Sequence, residues 1–318
     1  MSEVPTSRPV IVHGRVQLKF CSLVNDEWIV GSLLGTGGFG NVYQVNDKSG
    51  NSYAMKAEVY DMKSVLKMEV FALQKIATEK PNAKHFLLLA EKGTGISKCP
   101  ISDRWFVYMV TTLAGASLDS LRRSRQTKRF TLPCALSVGI QCVQAIQELH
   151  SVGFLHRDIK GSNLAIGRGD QHMRIFLIDL GMCRQYRDDA GELKLPRRRA
   201  VFRGTARYAP LSSHLLREFS RKDDLESWLY QQIEFTKGSL PWNDAPTLTD
   251  VALLKERCRF GVPLREMMYD CPSAYIDILK YIDTLGYYDA PNYSKIISML
   301  KAARSECCGV KETYDWND

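Results

Sequence analysis

The sequence predicts an α+β fold, with a β-rich N-terminal part that carries one main helix and a mainly α-helical C-terminal part. Three observations point there. The stretches 28–34, 52–59 and 104–115 (WIVGSLL, SYAMKAEV and RWFVYMVTTLAG) concentrate β-branched and aromatic residues, as strands do. Between the second and third, Val65, Leu66, Phe71, Leu73 and Ile76 fall mostly at helical spacing. Further on, Leu136, Ile140, Val143, Ile146 and Leu149 recur every three or four residues, so Leu132 to Val152 reads as one long buried helix.

Composition bounds the function. The chain has 318 residues, 45% of them hydrophobic, enough to bury a sizeable core in one large domain or two ordinary ones. Met1 to Arg8 lacks an apolar h-region and no run of about 18 apolar residues occurs, so neither secretion nor a membrane span is expected. A cytoplasmic, or else nuclear, address follows by elimination. The nine cysteines contain no C-x-x-C pair, and we read them as reduced thiols rather than a zinc site or a disulfide framework. The excess of 43 Lys and Arg over 35 Asp and Glu leaves +8, which favours acidic or phosphorylated partners. No RNA- or DNA-reading motif accompanies that charge, so nucleic acid is not an expected partner.

In chain order, residues 1–27 are expected to be an arm, with Pro5, Pro9 and little periodicity up to residue 22. The strand from Trp28 runs into GTGGFGNVYQV, with glycines at 35, 37 and 40 and a valine at 42. Gly35, Gly37 and Gly40 alone fit a plain hairpin turn equally well. Val42, with a strand rather than a helix beyond it, fits a flap over nucleotide phosphates better than a dinucleotide-binding fingerprint. Lys56 in the next strand either snorkels from a sheet edge or points at phosphates, and the second role needs a carboxylate to hold it. Glu69 on the following helix is the candidate, with an ordinary surface glutamate as the alternative. Residues 80–104 read as irregular, and Leu118 to Arg129 as a helix ending in a basic tract.

The segment HRDIKGSN, His156 to Asn163, follows the long helix directly. Its side chains suit phosphoryl transfer. Asp158 can take a hydroxyl proton, Lys160 can neutralise a phosphate, and Asn163 can offer an oxygen to a hard cation. Beyond it, LAIG and RIFLIDLG read as two short strands that return Asp179 as a second metal-ligand candidate, the alternative being a carboxylate that caps a turn. Met182 to Arg207 is polar and basic, as a substrate-facing loop would be, with Arg197, Arg198, Arg199, Arg203 and Arg207 either functional or simply solvated. From Asp223, DDLESWLYQQIEF reads as a central helix, then helices separated by Pro241, Pro246, Pro263, Pro272 and Pro291, then a polar tail.

The order of glycine flap, Lys56, Glu69, HRDIKGSN and DLG at 179–181 resembles the eukaryotic protein kinases. GTARYAP at 204–210, followed by RKDDLES at 221–227 without an APE sequence, is similar to the casein kinase 1 group. LRRS, FTL, HSVGFLHRDIK, FRGTARY and LPW most resemble the tau-tubulin kinases, of which the chain looks like a divergent member. The resemblance implies a bilobal kinase domain over 28–304. It divides into an N-terminal antiparallel β-sheet lobe over about 28–111, a hinge over about 112–115 and a helical lobe over about 116–304, with a tail over 305–318.

It also implies ATP and Mg2+ as cofactors and serine or threonine of proteins as acceptors. Lys56 would hold the α- and β-phosphates while pairing with Glu69, Asn163 and Asp179 would bind magnesium, and Asp158 and Lys160 would serve acceptor and γ-phosphoryl group. Leu34, Val42, Ala54, Thr111, Leu113, Ala114, Ala165 and Ile178 would enclose the adenine, with Thr111 as gatekeeper. Arg207, Arg203 and Lys255 are the candidates for an anionic group beside the acceptor, in acidic or phosphate-primed substrates. Gly161 stands where the family has proline, which adds backbone freedom, and Leu180 stands where it has phenylalanine. A monomeric enzyme is expected. The alternative is a pseudokinase scaffold that binds ATP or proteins without efficient turnover.

Overall fold

The computed structural model describes residues 10–12, 15–38, 40–60, 64–98, 105–188, 190–308 and 312–316. Met1–Arg8 and Cys99 lie outside them. The fold is α+β, and the chain forms two compact units.

The first unit takes in Met1–Pro81, Phe86–Ala114 and Asp179–Gly181. Its strands are β1 (Val10–Val12), β2 (Arg15–Gln17), β3 (Leu23–Val24), β4 (Trp28–Thr36), β5 (Asn41–Asn46), β6 (Ser52–Val59), β7 (Leu89–Lys98) and β8 (Trp105–Thr112). Six of them form an antiparallel sheet in the order β3-β4-β5-β6-β8-β7. Strand alternation builds its core: Tyr43 and Val45, Met55 and Ala57, and Phe106, Tyr108 and Val110 pack with Trp28 and Val30. Among the described residues its helix is α1 (Leu66–Glu79), which buries Leu66, Glu69, Ala72, Leu73 and Ile76 on one face, while Phe71 lies off that face and is exposed.

Two expectations fail in this unit. The segment expected as an arm is packed from Val16 onward: Val16 is fully buried, and its carbonyl accepts from Asn41 Nδ2 at 3.0 Å and Tyr43 Oη at 3.1 Å. Val16 and Leu18 alternate around Gln17 over too few residues to register as a pattern. Residues 89–98, expected to be irregular, form β7. Their glycines are there because β8 crowds them. A Cβ on Gly93 would sit 2.6 Å from the carbonyls of Ala90 and Val110, and one on Gly95 2.4 Å from Tyr108 Oη.

The second unit takes in Asn82–His85, Gly115–Ile178 and Met182–Asp318. It contains α2 (Leu118–Ser124), α3 (Leu132–Ser151), α4 (Leu211–His214), α5 (Arg221–Lys237), α6 (Leu248–Arg257), α7 (Gly261–Met268), α8 (Ala274–Asp283) and α9 (Tyr293–Cys308). Between α3 and α4 run β9 (Phe154–Leu155), β10 (Leu164–Ile166), β11 (Ile175–Leu177) and β12 (Arg184–Gln185), paired β10 with β11 and β9 with β12. Every residue of α5 except Lys222 and Lys237 is buried, including Asp223, Asp224, Glu226 and Glu234. A helix buried on all sides shows no amphipathic period, and its polar groups must find internal partners. Ser220 and Asp223 form a capping box at its start, and Gly238 closes it at φ 95°.

Two further readings change here. Pro263 does not separate helices but lies in the first turn of α7, where no intrahelical N–H bond is lost. The tail is not merely polar. Asp315 accepts from Thr131 N at 2.7 Å and Thr131 Oγ1 at 2.6 Å, capping α3 from outside, and Trp316 packs its ring 5.9 Å from that of Phe130. Among the described residues, no helix is long and apolar enough to cross a membrane.

Candidate active site

In the first unit the cross-strand register sets the site. Gly35 pairs with Val42, Val42 with Lys56, and Ala54 with Thr111, so Val42, Ala54, Lys56 and Thr111 share one face. Met55 and Ala57 point the other way, into the core. Gly40 has no alternative residue, because a Cβ there would meet Ala57 O at 2.3 Å. Among the described residues, no atom lies within 4 Å of a Cβ position on Gly35, and Gly37 meets only Gly40 O at 3.6 Å. The fold itself therefore does not require glycine at 35 and 37. Open space over their backbone fits the approach of phosphate oxygens.

Lys56 Nζ lies 2.8 Å from Glu69 Oε2 and 2.8 Å from Asp179 Oδ1. Burial by itself would lower the ammonium, but Glu69 and then Asp179 outweigh it and hold Lys56 above the usual lysine range. Glu69 also accepts from Leu180 N at 3.2 Å through its other oxygen. Asp179 has φ 60°, a left-handed conformation that costs an aspartate of order 1–3 kcal/mol unless its surroundings hold it. The Lys56 bond does so. Leu34 is exposed, Thr111 is buried, and Leu113 and Ala114 are half-buried.

In the second unit, Asp158 has both carboxylate oxygens occupied. Thr205 Oγ1 donates to Oδ1 at 2.9 Å, Lys160 Nζ lies 2.6 Å from Oδ2, and the same Nζ donates to Thr205 Oγ1 at 3.0 Å. A hydroxyl is thus held between a carboxylate and an ammonium. Asn163 Nδ2 donates to Asp158 O at 2.9 Å, which fixes the amide and leaves Oδ1 as an oxygen ligand of the kind a hard cation takes. Ala165 is buried and Ile178 half-buried. The turn is gripped from below by Asp224, which accepts from His156 N at 2.7 Å, Arg157 N at 2.8 Å and His150 Nε2 at 2.8 Å. Arg157 has φ 67°, and those bonds are what hold it there. Burial works to raise Asp224, but the His150 hydrogen bond and the nearby His150 and His156 keep it below the usual carboxylate range.

A model of the protein kinase domain matches residues 28–243. This chain belongs to the protein kinase family. The kinase is 33% identical over 300 residues to a probable serine/threonine-protein kinase of Dictyostelium discoideum, covering 93% of this chain and 57% of that protein. It is 33% identical to the serine/threonine-protein kinase spe-6 of Caenorhabditis elegans, covering 92% of this chain and 76% of the relative. A putative serine/threonine-protein kinase of the same worm is 31% identical over 96% of this chain and 84% of its own length. The kinase therefore spans little more than half of the Dictyostelium relative. The family's reaction uses ATP, usually with Mg2+.

Within the kinase, three sequence expectations need correction. Lys255 cannot meet a substrate anion: it is fully buried, with Nζ bonded to the carbonyls of Ala206 at 2.8 Å and Ala209 at 2.6 Å. Arg207 is committed to the buried Glu234 at 2.9 Å, and Arg197 to Glu218, leaving Arg203 exposed. Gly161 adds no freedom, because it is buried in a 3-10 turn where a Cβ would lie 3.0 Å from the Phe235 ring and 3.2 Å from Asp119 Cβ. It makes room for α5. Asp224 and His150 escaped sequence reasoning, although a carboxylate at the start of the segment read as a central helix, DDLESWLYQQIEF, was the available signal.

Proposed function

We propose that this kinase transfers the γ-phosphoryl group of ATP to serine or threonine of proteins, as a divergent tau-tubulin-kinase-like member of the casein kinase 1 group. One observation carries the reading: the Thr205 hydroxyl lies between Asp158 and Lys160, so the turn already binds an aliphatic alcohol through the two groups that an acceptor needs. Asp158 would orient and deprotonate the acceptor, and Lys160 would steady the transferring group. Lys56, fixed by Glu69, would hold the nucleotide phosphates. Asn163 and Asp179 would each offer a hard oxygen to magnesium, whose charge would neutralise phosphate oxygens. Positioning and electrostatics provide most of the rate in such reactions.

Acidic or phosphate-primed substrates suit a second feature. The Arg157 guanidinium is pulled down to about 10, by burial first and then by the neighbouring charges of Arg184 and Arg203. Arg184 pairs with Glu218 at 3.4 Å and Arg157 donates to Met182 O at 2.8 Å, which leaves the exposed Arg203 as the guanidinium for an anion. This moves the expected anion site from Arg207 and Lys255 to Arg203.

Transfer of labelled phosphate from ATP and magnesium to an acidic serine peptide tests the main reading. Asp158→Asn should lower the rate about 10²- to 10⁴-fold, the usual range for losing a general base. Equal incorporation by wild type and variant would sink the enzyme reading in favour of a scaffold. Primed peptides should be preferred, and Arg203→Ala should weaken that preference.

A further inference from the structure

Lys255 on α6 is fully buried, and the groups around it are mostly uncharged. Its Nζ donates to Ala206 O and Ala209 O, lies 3.2 Å from His214 Nε2, and sits 4.9 Å and 5.2 Å from the ring centroids of Tyr230 and Trp242. Trp242 Nε1 donates to the intervening carbonyl, Arg207 O, at 2.7 Å. The carbonyls of Ala206, Arg207 and Ala209 are therefore all drawn to donors from beneath. Thr205 O closes the turn by accepting from Tyr208 N and Ala209 N, each at 2.8 Å. The Arg207 guanidinium and the Tyr208 hydroxyl both end on Glu234. Of this turn's side chains, Thr205 is the one that reaches Asp158.

We propose that Lys255 is a positioning residue for the phosphoryl acceptor: through the carbonyls of Ala206 and Ala209 it holds the 205–209 turn so that the Thr205 hydroxyl meets Asp158. The proposal rests on the transferase reading above. Lys255 acts as a hydrogen-bond donor rather than as a charge. Burial pushes it down to about 7, with Glu226 opposing and Arg259 adding to the fall, and a neutral amine still has two N–H groups for the two carbonyls. His214 is pushed down to about 4 by burial and then by Lys255, and its Nε2 can take the third N–H only when the amine is protonated. Protonation of Lys255 therefore leaves the clamp in place, and the peptide KM should show no step near pH 7 from this residue.

Lys255→Met keeps the apolar stem and removes the donors. In steady-state kinetics on an acidic serine peptide, the variant should raise the peptide KM by about tenfold to a hundredfold, as a misplacement of about 1 Å does, with the KM for ATP unchanged. Hydrogen exchange at amides 204–209 should quicken while α3 and α5 stay protected. Trp242→Phe keeps a ring over Lys255 but removes the donor to Arg207 O. It should move both readouts the same way by less, and it carries the test if Lys255→Met does not fold. A folded variant with wild-type peptide KM and wild-type exchange overturns the proposal. A wild-type chain that phosphorylates no acceptor overturns the transferase reading instead, and exchange at 204–209 still decides the role of Lys255.

Discussion

Thr205, Asp158 and Lys160 form a closed set of hydrogen bonds in which each group has two partners. Thr205→Val keeps the shape and removes the hydroxyl, so the Asp158 carboxylate loses a fixed orientation. We expect kcat/KM for a serine peptide to fall about tenfold to a hundredfold, with Thr205→Ser near wild type, measured by phosphate transfer. Asp224 supports the same turn without touching a substrate. Asp224→Asn leaves His150 and two backbone N–H groups short of a charged acceptor at a fully buried site. Stability should drop by about 3 kcal/mol in urea unfolding, the range for breaking a buried pair. At the sheet, Thr111 is small and buried opposite Ala54. Thr111→Met should weaken binding of bulky adenine-site inhibitors, and equal inhibitor Kd in both proteins would refute it.

Among the elements, α5 is the one on which the others depend. It carries Asp224 to the catalytic turn, Glu234 to Arg207 and Tyr208, Glu226 to Arg259, and Phe235 to the space that Gly161 leaves. Ser220→Ala removes half of its capping box and should cost about 1 kcal/mol of stability. Gly161→Ala tests the packing directly. The added Cβ must displace the Phe235 ring, which lies 5.1 Å from that of Phe130, so we expect a loss of about 1–3 kcal/mol. Combining it with Phe235→Leu should recover part of that loss in the same unfolding assay. The strands β10 and β11 and the helix α5 were legible from residue type. The β7 strand was not, because its glycines answer to Tyr108 and Val110 on β8 and carry no local strand signal.

For the whole molecule, buried carboxylates set the response to acid. Asp224, Glu218 and Glu226 are each held below their ordinary range although burial opposes it: Asp224 by His150, Glu218 by Arg197 and Arg184, and Glu226 by Arg259. A carboxylate with a depressed folded pKa adds stability that is fully present above its unfolded value, about 4, and is lost as pH falls through the folded pKa. Asp223 runs the other way, since burial raises it. The urea midpoint should therefore decline below about pH 4, and Asp224→Asn should flatten that decline while lowering the plateau at neutral pH. A variant whose midpoint falls as steeply as that of wild type would assign the acid limb to other groups.

The sequence by itself determined the α+β class, the long helix before HRDIKGSN, and the side chains that carry phosphoryl-transfer chemistry, because strand alternation, helical periodicity and motif spacing are local properties. It also marked Lys56 and Glu69 as possible partners, which the sheet register and the inner face of α1 bring to 2.8 Å. Tertiary structure alone decided which cations are available. Arg207, helped by Arg203 and by Lys255 from a later helix, was the expected anion site, yet burial and the carboxylates and carbonyls of distant segments commit Arg207 and Lys255. It also decided that Gly161 is a space for Phe235 and that Val16 belongs to a core. Burial, and the pairing of charges across long stretches of chain, depend on neighbours that no local pattern names.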